Sequence, residues 1–265
     1  MSSFQFKQFE VVQDFSAMKV NTDAVLLGAW MGLPEEKICS EKKFKLLDIG
    51  TGTGVIALMA GQRMSQAGLA SQIDAVEIDA DACKDAAQNF CSSPWPDIAF
   101  QLYNTPLQEF AQEKTDGIYD LIFSNPPYFI SSLKNNSQSK AVARHSDTLT
   151  QRELLFHSLA LLKDKGHFAV ILPVVEGEEL LRKVNFMANA AVSKNDTEPT
   201  LFPARVCYIH TVERKPAKRL MLEFVKCTPE CSPSLVREQL IMMSGGSNTP
   251  QYDSLVGSFY LWGKE

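Results

Sequence analysis

Apolar runs of strand length alternate with helix-forming segments along most of the chain. The apolar runs predict buried strands, and the longer segments between them predict helices. Up to residue 190 this alternation is typical of a parallel, doubly wound α/β sheet with helices on both faces. Two later alternating segments, Arg205–Thr211 and Arg219–Lys226, predict a closing pair that supplies an antiparallel strand. The predicted strands before that pair lie at 45–49, 72–79, 97–103, 119–123 and 167–172, and the helices at 54–67, 80–92, 150–164 and 176–190.

The first 34 residues have a pattern of their own. Residues 4–20 carry several aromatic side chains and predict an extended or irregular segment. Asn21–Trp30 predicts a helix, with Asn21 or Thr22 as its cap and an acid in its first turn. We find no internal repeat and no clear domain boundary. We therefore predict a single domain over 1–265, in which an N-terminal extension over 1–34 precedes a core over 44–265.

Composition narrows the class of protein. With 45% apolar residues the chain can form a packed core, but no apolar run approaches the roughly 20 residues that span a bilayer. The N-terminus lacks a signal segment, and the six cysteines contain no Cys-x-x-Cys pair, so we expect free thiols and a cytoplasmic protein. Cys227 and Cys231 lack convergent partners, and we predict no metal site. A net charge of −5 does not point to nucleic-acid binding, although a local basic face is compatible with it.

A glycine-rich loop follows the first predicted strand. Glycines at 50, 52 and 54 let a ligand approach the backbone, and the next helix aims its N-terminal amides at that ligand. A dinucleotide fingerprint needs glycine where Val55 stands, and Asp48 would repel a pyrophosphate. A carboxylate there favours a cationic ligand such as the ammonium end of S-adenosylmethionine. A nucleotide loop or a plain strand-to-helix turn is the alternative.

Two further features stand at the ends of later strands. Glu77 stands 29 residues after Asp48, where this architecture has a carboxylate that accepts from ribose hydroxyls. A solvated acid at the end of the strand is the alternative.

The segment Asn125-Pro126-Pro127-Tyr128 follows the fourth strand. Its two prolines lack amide donors, so hydrogen-bond acceptors remain for a planar NH2 group. Two such acceptors would aim the nitrogen lone pair at a methyl donor, and Tyr128 would stack on the planar group. A tight turn is the alternative.

Together these motifs resemble the amino-group methyltransferases that use S-adenosylmethionine. The resemblance extends to a particular family, the bacterial tRNA1(Val) adenine-N6 methyltransferases, through the segments Phe4–Phe9, Ala17–Trp30 and Phe259–Leu261. It implies a Rossmann-like class I methyltransferase fold, with a mostly parallel seven-stranded sheet and an antiparallel C-terminal strand. It also implies methylation of the adenosine immediately 3′ of the anticodon, with tRNA bound around its anticodon stem-loop and no membrane, metal or obligate protein partner.

The resemblance assigns roles to individual residues. Asn125, Pro126 and Tyr128 would be catalytic and hold the target adenine. The family tends to carry an acid for the cofactor adenine where this chain has Asn104, whose side-chain oxygen could substitute. Cofactor binding is thereby assigned to Lys19, Thr22, Asp23, Asp48, Gly50, Gly52, Glu77, Asn104 and Asn125, and RNA binding to Lys134, Lys140, Arg144 and His145. For Lys19, Thr22 and Asp23 helix capping is the alternative, and for the RNA-binding residues a solvated loop.

Other activities share these motifs. A glutamine-N5 methyltransferase acting on release factors uses the same Asn-Pro-Pro-Tyr logic for a side-chain amide, and ribosomal RNA guanine-N2 methyltransferases are similar. A catalytically silent RNA-binding module of the same fold is the non-enzymatic alternative. The intact glycine loop and Asn-Pro-Pro-Tyr motif count against that module, because a pure binder needs neither.

Overall fold

The computed structural model of the protein describes residues 2–34, 43–127, 149–194 and 196–261. The strands are β1 (Ser3–Gln5), β2 (Glu10–Val12), β3 (Phe44–Ile49), β4 (Ser71–Glu77), β5 (Ile98–Asn104), β6 (Tyr119–Ser124), β7 (Leu162–Pro173), β8 (Thr200–Val212), β9 (Arg219–Cys227), β10 (Val236–Ser244) and β11 (Ser247–Asn248). The helices are α1 (Thr22–Trp30), α2 (Val55–Gln66), α3 (Ala80–Cys91), α4 (Leu107–Glu113), α5 (Gln151–Leu161), α6 (Val174–Ser193) and α7 (Pro250–Val256), and a 3-10 turn lies at Pro229–Cys231.

Nine of these strands form one sheet in the order β11-β10-β8-β9-β7-β6-β3-β4-β5. The strands from β7 to β5 are mutually parallel, and β9 runs antiparallel to both β7 and β8. The predicted α/β fold and its antiparallel closing strand are therefore confirmed. The sheet is larger than the implied seven strands, because β10 adds in parallel to β8 and β11 pairs with β10.

The central strands are buried on both faces, as parallel strands covered by helices must be. Leu46 and Leu121 face one apolar cluster together with α1, α2 and α7, whereas Leu47 and Ile122 face a second cluster with α4, α5 and α6. This two-sided burial explains why β3 and β6 are nearly continuous apolar runs. The carboxyl ends of β3 and β6 lie side by side, since Ile49 and Ser124 are register partners.

The N-terminal segment is more regular than predicted, because β1 and β2 form an antiparallel hairpin. Phe6 stacks on Phe9 with ring centroids 4.5 Å apart, and both pack in the cluster that contains α2. The amide of Lys7 donates to the carbonyl of Phe259 at 2.8 Å, so the hairpin is anchored on the C-terminal segment. None of the helices described here is both long enough and apolar enough to cross a membrane.

Candidate cofactor and acceptor site

The glycine loop leaves open space above two of its three glycines. Gly50, Gly52 and Gly54 have φ of +72°, +55° and +82°, a conformation that favours glycine. A Cβ atom built on Gly50 or Gly52 would meet nothing within 4 Å, whereas one on Gly54 would lie 2.5 Å from Cε1 of Phe90. Gly54 is therefore required by packing, and the other two form a cradle that a ligand can approach.

Asp48 lies fully buried beneath this cradle. Its Oδ2 accepts a hydrogen bond from the Thr51 hydroxyl at 2.7 Å, and its Oδ1 makes no hydrogen bond of standard geometry with the described residues. Burial raises the pKa of Asp48 to about 7; the Thr51 hydrogen bond opposes this rise, the charge of Glu77 adds to it, and the backbone amide of Ala57 opposes it. A buried carboxyl oxygen without a partner is costly, so this position suits a ligand that brings a cation or a donor.

Glu77 stands at the end of β4 and is held by backbone amides. Its Oε2 accepts from the amide of Gly52 and its Oε1 from the amide of Asp79, each at 2.9 Å. These bonds fix the carboxylate beside the glycine loop. Because a carboxylate oxygen can accept more than one hydrogen bond, both oxygens retain capacity for the hydroxyls of a ribose.

Asn104 is the register partner of Glu77 at the end of the neighbouring strand, β5. Its Nδ2 donates to the carbonyls of Glu77 and Ile78 at 2.9 and 3.1 Å. With its amide nitrogen turned towards these carbonyls, the exposed side chain presents Oδ1 as an acceptor. The arrangement therefore suits the role predicted from the sequence, that of an acceptor for the cofactor adenine. A carboxylate at this position could not donate the two hydrogen bonds that anchor the side chain.

The acceptor motif continues directly from β6. The Ser124 hydroxyl donates to the carbonyl of Ile49 at 2.8 Å and so joins the ends of β6 and β3. Asn125 is half-buried and Pro126 buried immediately beyond that bond, next to the glycine loop. The remaining predicted residues of this region, Tyr128, Lys134, Lys140, Arg144 and His145, lie outside the described residues.

The three predicted residues near α1 have different surroundings. Lys19 Nζ donates to the carbonyl of Gln13, and Thr22 is exposed at the first position of α1. Asp23 accepts from Nε of Arg219 at 2.6 Å, an ion pair that ties α1 to β9. The cap of α1 is Asn21, whose side chain accepts from the amide of Ala24 at 2.9 Å. Capping therefore explains Asn21, and Asp23 holds α1 to the sheet.

Sequence reasoning missed three buried polar residues, namely Thr51 in the glycine loop and Asp85 and Asn89 on α3. Thr51 carries a recognisable signal, because a hydroxyl three residues after a strand-end acid can donate to it. Asp85 and Asn89 are four residues apart on α3, and that spacing on one helix face is their only signal. Within the described ranges, no cluster of His, Cys, Asp or Glu could hold a metal ion.

This sheet, with a glycine cradle over a buried acid and a carboxylate at the end of the next strand, has the architecture of a Rossmann-like methyltransferase. The family model that matches the chain is the methyltransferase small domain, over residues 15–193. The chain therefore belongs to that family and is a methyltransferase.

Relatives define the family more narrowly. The chain is 40% identical over 230 residues to the tRNA1(Val) (adenine(37)-N6)-methyltransferase of Parabacteroides distasonis, covering 87% of this chain and 86% of that protein. It is 38% identical over 258 residues to the protein of the same name from Flavobacterium psychrophilum, covering 97% and 99%. The chain thus belongs to the family of these proteins, and the resemblance inferred from its motifs is confirmed.

Solved structures agree on the fold. A predicted O-methyltransferase from Agrobacterium tumefaciens superposes with a TM-score of 0.58 at 15% identity, covering 89% of this chain and 96% of that one. A putative class I S-adenosylmethionine-dependent methyltransferase from Listeria monocytogenes gives 0.54 at 15% identity, covering 82% and 62%. At these identities the likeness concerns the fold alone.

Proposed function

We propose that the protein transfers the methyl group of S-adenosylmethionine to N6 of an adenosine in tRNA, namely adenosine 37 beside the anticodon of tRNA1(Val). The relatives over nearly the whole chain carry this activity in their names. The observation that carries the proposal is the adjacency of the Asn125 motif and the glycine cradle at the joined ends of β6 and β3. Acceptor and donor sites must lie that close for a direct transfer.

The donor site uses the residues around Asp48. S-adenosylmethionine, when bound, supplies the electrophilic methyl group. Asp48 would accept from its ammonium group through the unpartnered Oδ1, and Glu77 would accept from its ribose hydroxyls. Asn104 would accept from its adenine amine. Opposite charge at Asp48 suits this ligand and disfavours a dinucleotide, whose pyrophosphate would approach the same loop.

The acceptor site uses oxygen acceptors rather than a base. The side-chain oxygen of Asn125 and the carbonyl of Pro126 would each accept from the adenine N6 amine. Two fixed acceptors favour a tetrahedral nitrogen, so its lone pair turns out of the ring and towards the methyl group. Tyr128 would stack on the adenine. The nitrogen would accept the methyl group that S-adenosylmethionine supplies, and the methylated amine would then release a proton to water.

The RNA must be held by local positive charge, since the chain carries a net charge of −5. Basic residues that follow the acceptor motif in the sequence would grip the anticodon loop, where an adenosine is partly exposed and needs little unstacking. The basic cluster at the connection between β8 and β9 would matter less, either as a contact to the tRNA stem or only as a solvated turn, and its Arg219 is already paired with Asp23. The cluster consists of Arg214, Lys215, Lys218 and Arg219. The basic residues that follow the motif are Lys134, Lys140, Arg144 and His145.

Transfer of a tritiated methyl group to total cellular RNA and, separately, to total protein tests this function. We expect label in RNA, recovered as N6-methyladenosine after digestion to nucleosides, and none in protein. Asn125→Ala is the control, because it should lose the transfer while still binding the cofactor. Label recovered as methylglutamine in protein or as N2-methylguanosine in RNA would overturn the proposal.

A further inference from the structure

One face of α3 carries two buried polar side chains that the proposed reaction does not use. Asp85 and Asn89 are 0% and 2% exposed, and they lie one helical turn apart. Buried polar groups are retained when they make hydrogen bonds, so the partners of these two side chains indicate what they do.

Asp85 binds the backbone of the N-terminal segment. Its two oxygens accept from the consecutive amides of Asp14, Phe15 and Ser16, at 3.1, 3.0 and 2.7 Å. The Ser16 hydroxyl adds a fourth bond at 2.7 Å. Burial would raise the pKa of Asp85, but these hydrogen bonds outweigh it and lower the pKa, which keeps the group ionised. One charged side chain on α3 therefore fixes a three-residue turn of the segment.

Asn89 binds the same segment and the glycine loop at once. Its Oδ1 accepts from the amide of Val12 at 2.8 Å, and its Nδ2 donates to the carbonyl of Val12 at 2.9 Å. The same Nδ2 donates to the carbonyl of Thr53 at 2.8 Å, between Gly52 and Gly54. The end of β2 and the cofactor loop are thus joined through one side chain.

The segment between these anchors and α1 is held together by hydrogen bonds among its own residues. The side-chain oxygen of Gln13 accepts from the amide of Val20 at 2.8 Å, and the carbonyl of Gln13 accepts from Lys19 Nζ. Residue 21 follows immediately and caps α1. The position of Lys19 and of the start of α1 therefore depends on where α3 holds residues 12–16.

We propose that Asp85 and Asn89 are positioning residues for the cofactor, which hold residues 12–20 and the glycine loop in a single binding arrangement without touching the ligand. This inference rests on the proposed function, because the ligand is taken to be S-adenosylmethionine. It predicts that substitutions which weaken these hydrogen bonds weaken cofactor binding more than substitutions elsewhere that cost the same stability. It also predicts that cofactor binding orders residues 12–20.

A matched pair of substitutions separates positioning from stability. Ser16→Ala removes one hydroxyl donor from the buried carboxylate of Asp85. Tyr119→Phe removes one hydroxyl donor, at 2.6 Å, from the buried carboxylate of Asp74, at the amino end of β6 and away from the glycine loop. Asp85→Asn is the stronger variant, since an amide can accept at only one atom and would turn a donor towards the backbone amides.

Binding of S-adenosylhomocysteine is measured by calorimetry, and amide exchange of residues 12–20 by mass spectrometry with and without that ligand. We expect Ser16→Ala to raise its Kd about threefold or more and Asp85→Asn about tenfold or more, with faster exchange over 12–20. The KM for S-adenosylmethionine should rise while that for tRNA is unchanged. Tyr119→Phe should lower the melting temperature yet leave Kd within about twofold.

Equal effects of Ser16→Ala and Tyr119→Phe on Kd, at a similar loss of melting temperature, would overturn the positioning role. So would exchange over 12–20 that the ligand leaves unchanged in the wild-type protein. Both outcomes leave methyl transfer intact and are therefore distinct from failure of the proposed function. Failure of the wild-type protein to bind S-adenosylhomocysteine would refute the proposed function and this inference with it.

Discussion

Cofactor affinity should depend on pH through Asp48. The perturbation is a change of pH across the raised pKa of this buried carboxyl, compared between the wild-type protein and Asp48→Asn. Burial raises that pKa from 3.8 to about 7. A shift of about three units corresponds to roughly 4 kcal/mol of unfavourable free energy for the charged form in the unliganded protein.

The sign follows from which state holds the proton. Between about pH 4 and 7 the folded, unliganded protein retains a proton that the unfolded chain has released, so Asp48 makes the fold less stable as pH rises. A bound ammonium group requires the carboxylate and reverses this preference. Below pH 7, binding of the ligand therefore requires Asp48 to release one proton. The Kd for S-adenosylhomocysteine should rise on the order of 20-fold as the pH is lowered from 7.5 to 5.5.

Calorimetric titration with S-adenosylhomocysteine across this range measures the slope directly. Asp48→Asn keeps the size of the side chain and the contact with Thr51, so it should bind weakly with little dependence on pH. The upper limit of pH 7.5 keeps the ligand's own ammonium group largely protonated. An equal pH slope in the wild-type protein and in Asp48→Asn would refute the assignment of the ammonium group to Asp48.

Five single substitutions and one triple variant test the rest of the site. Gly54→Ala should destabilise the fold strongly, because its Cβ atom would meet Phe90. Gly50→Ala should cost only about 1–2 kcal/mol of stability, because of its left-handed backbone, yet it should abolish cofactor binding. Melting curves and calorimetry compare the two variants, and cofactor binding by Gly50→Ala would contradict the assignment of Gly50 to the cofactor site. Asn125→Ala should lower kcat on the order of 10²–10³-fold and leave cofactor binding largely intact, and near wild-type turnover would contradict the assignment of Asn125 to the acceptor site. Tyr128→Phe should be mild and Tyr128→Ala severe in the same assay, if the ring face is the working part. Removing three of the basic residues that follow the acceptor motif should weaken tRNA binding and flatten its salt dependence by up to about three units of slope, and an unchanged slope would argue against their role in RNA binding. That triple variant replaces Lys134, Lys140 and Arg144.

The elements that could be predicted from the sequence are those whose burial is uniform. β6 is buried along almost its whole length, so its apolar run is distinctive. β10 mixes buried, half-buried and exposed positions, because it lies near the edge of the sheet with β8 as its main partner. Its pairing depends on contacts between distant segments and leaves no clear period. α4 has seven residues with only Leu107 and Phe110 buried, too few to establish a helical pattern.

The same distinction applies to the site. Asp48 and Glu77 could be predicted because each follows a strand at the one edge where parallel strands end together. Asp85 and Asn89 could not, since a polar residue on a helix usually faces solvent and their partners lie about 70 residues earlier. The pairing of Asp23 with Arg219 joins residues 196 positions apart, which a single sequence does not reveal.

The central claim is that the methyl group goes to N6 of adenosine 37, and two transcripts of tRNA1(Val) test it directly. One transcript carries adenosine at position 37 and the other guanosine, and each is incubated with the protein and labelled S-adenosylmethionine. Incorporation into the first transcript alone, recovered as N6-methyladenosine, is the result we predict. Equal incorporation into both transcripts would contradict the account, as would labelled N2-methylguanosine from either.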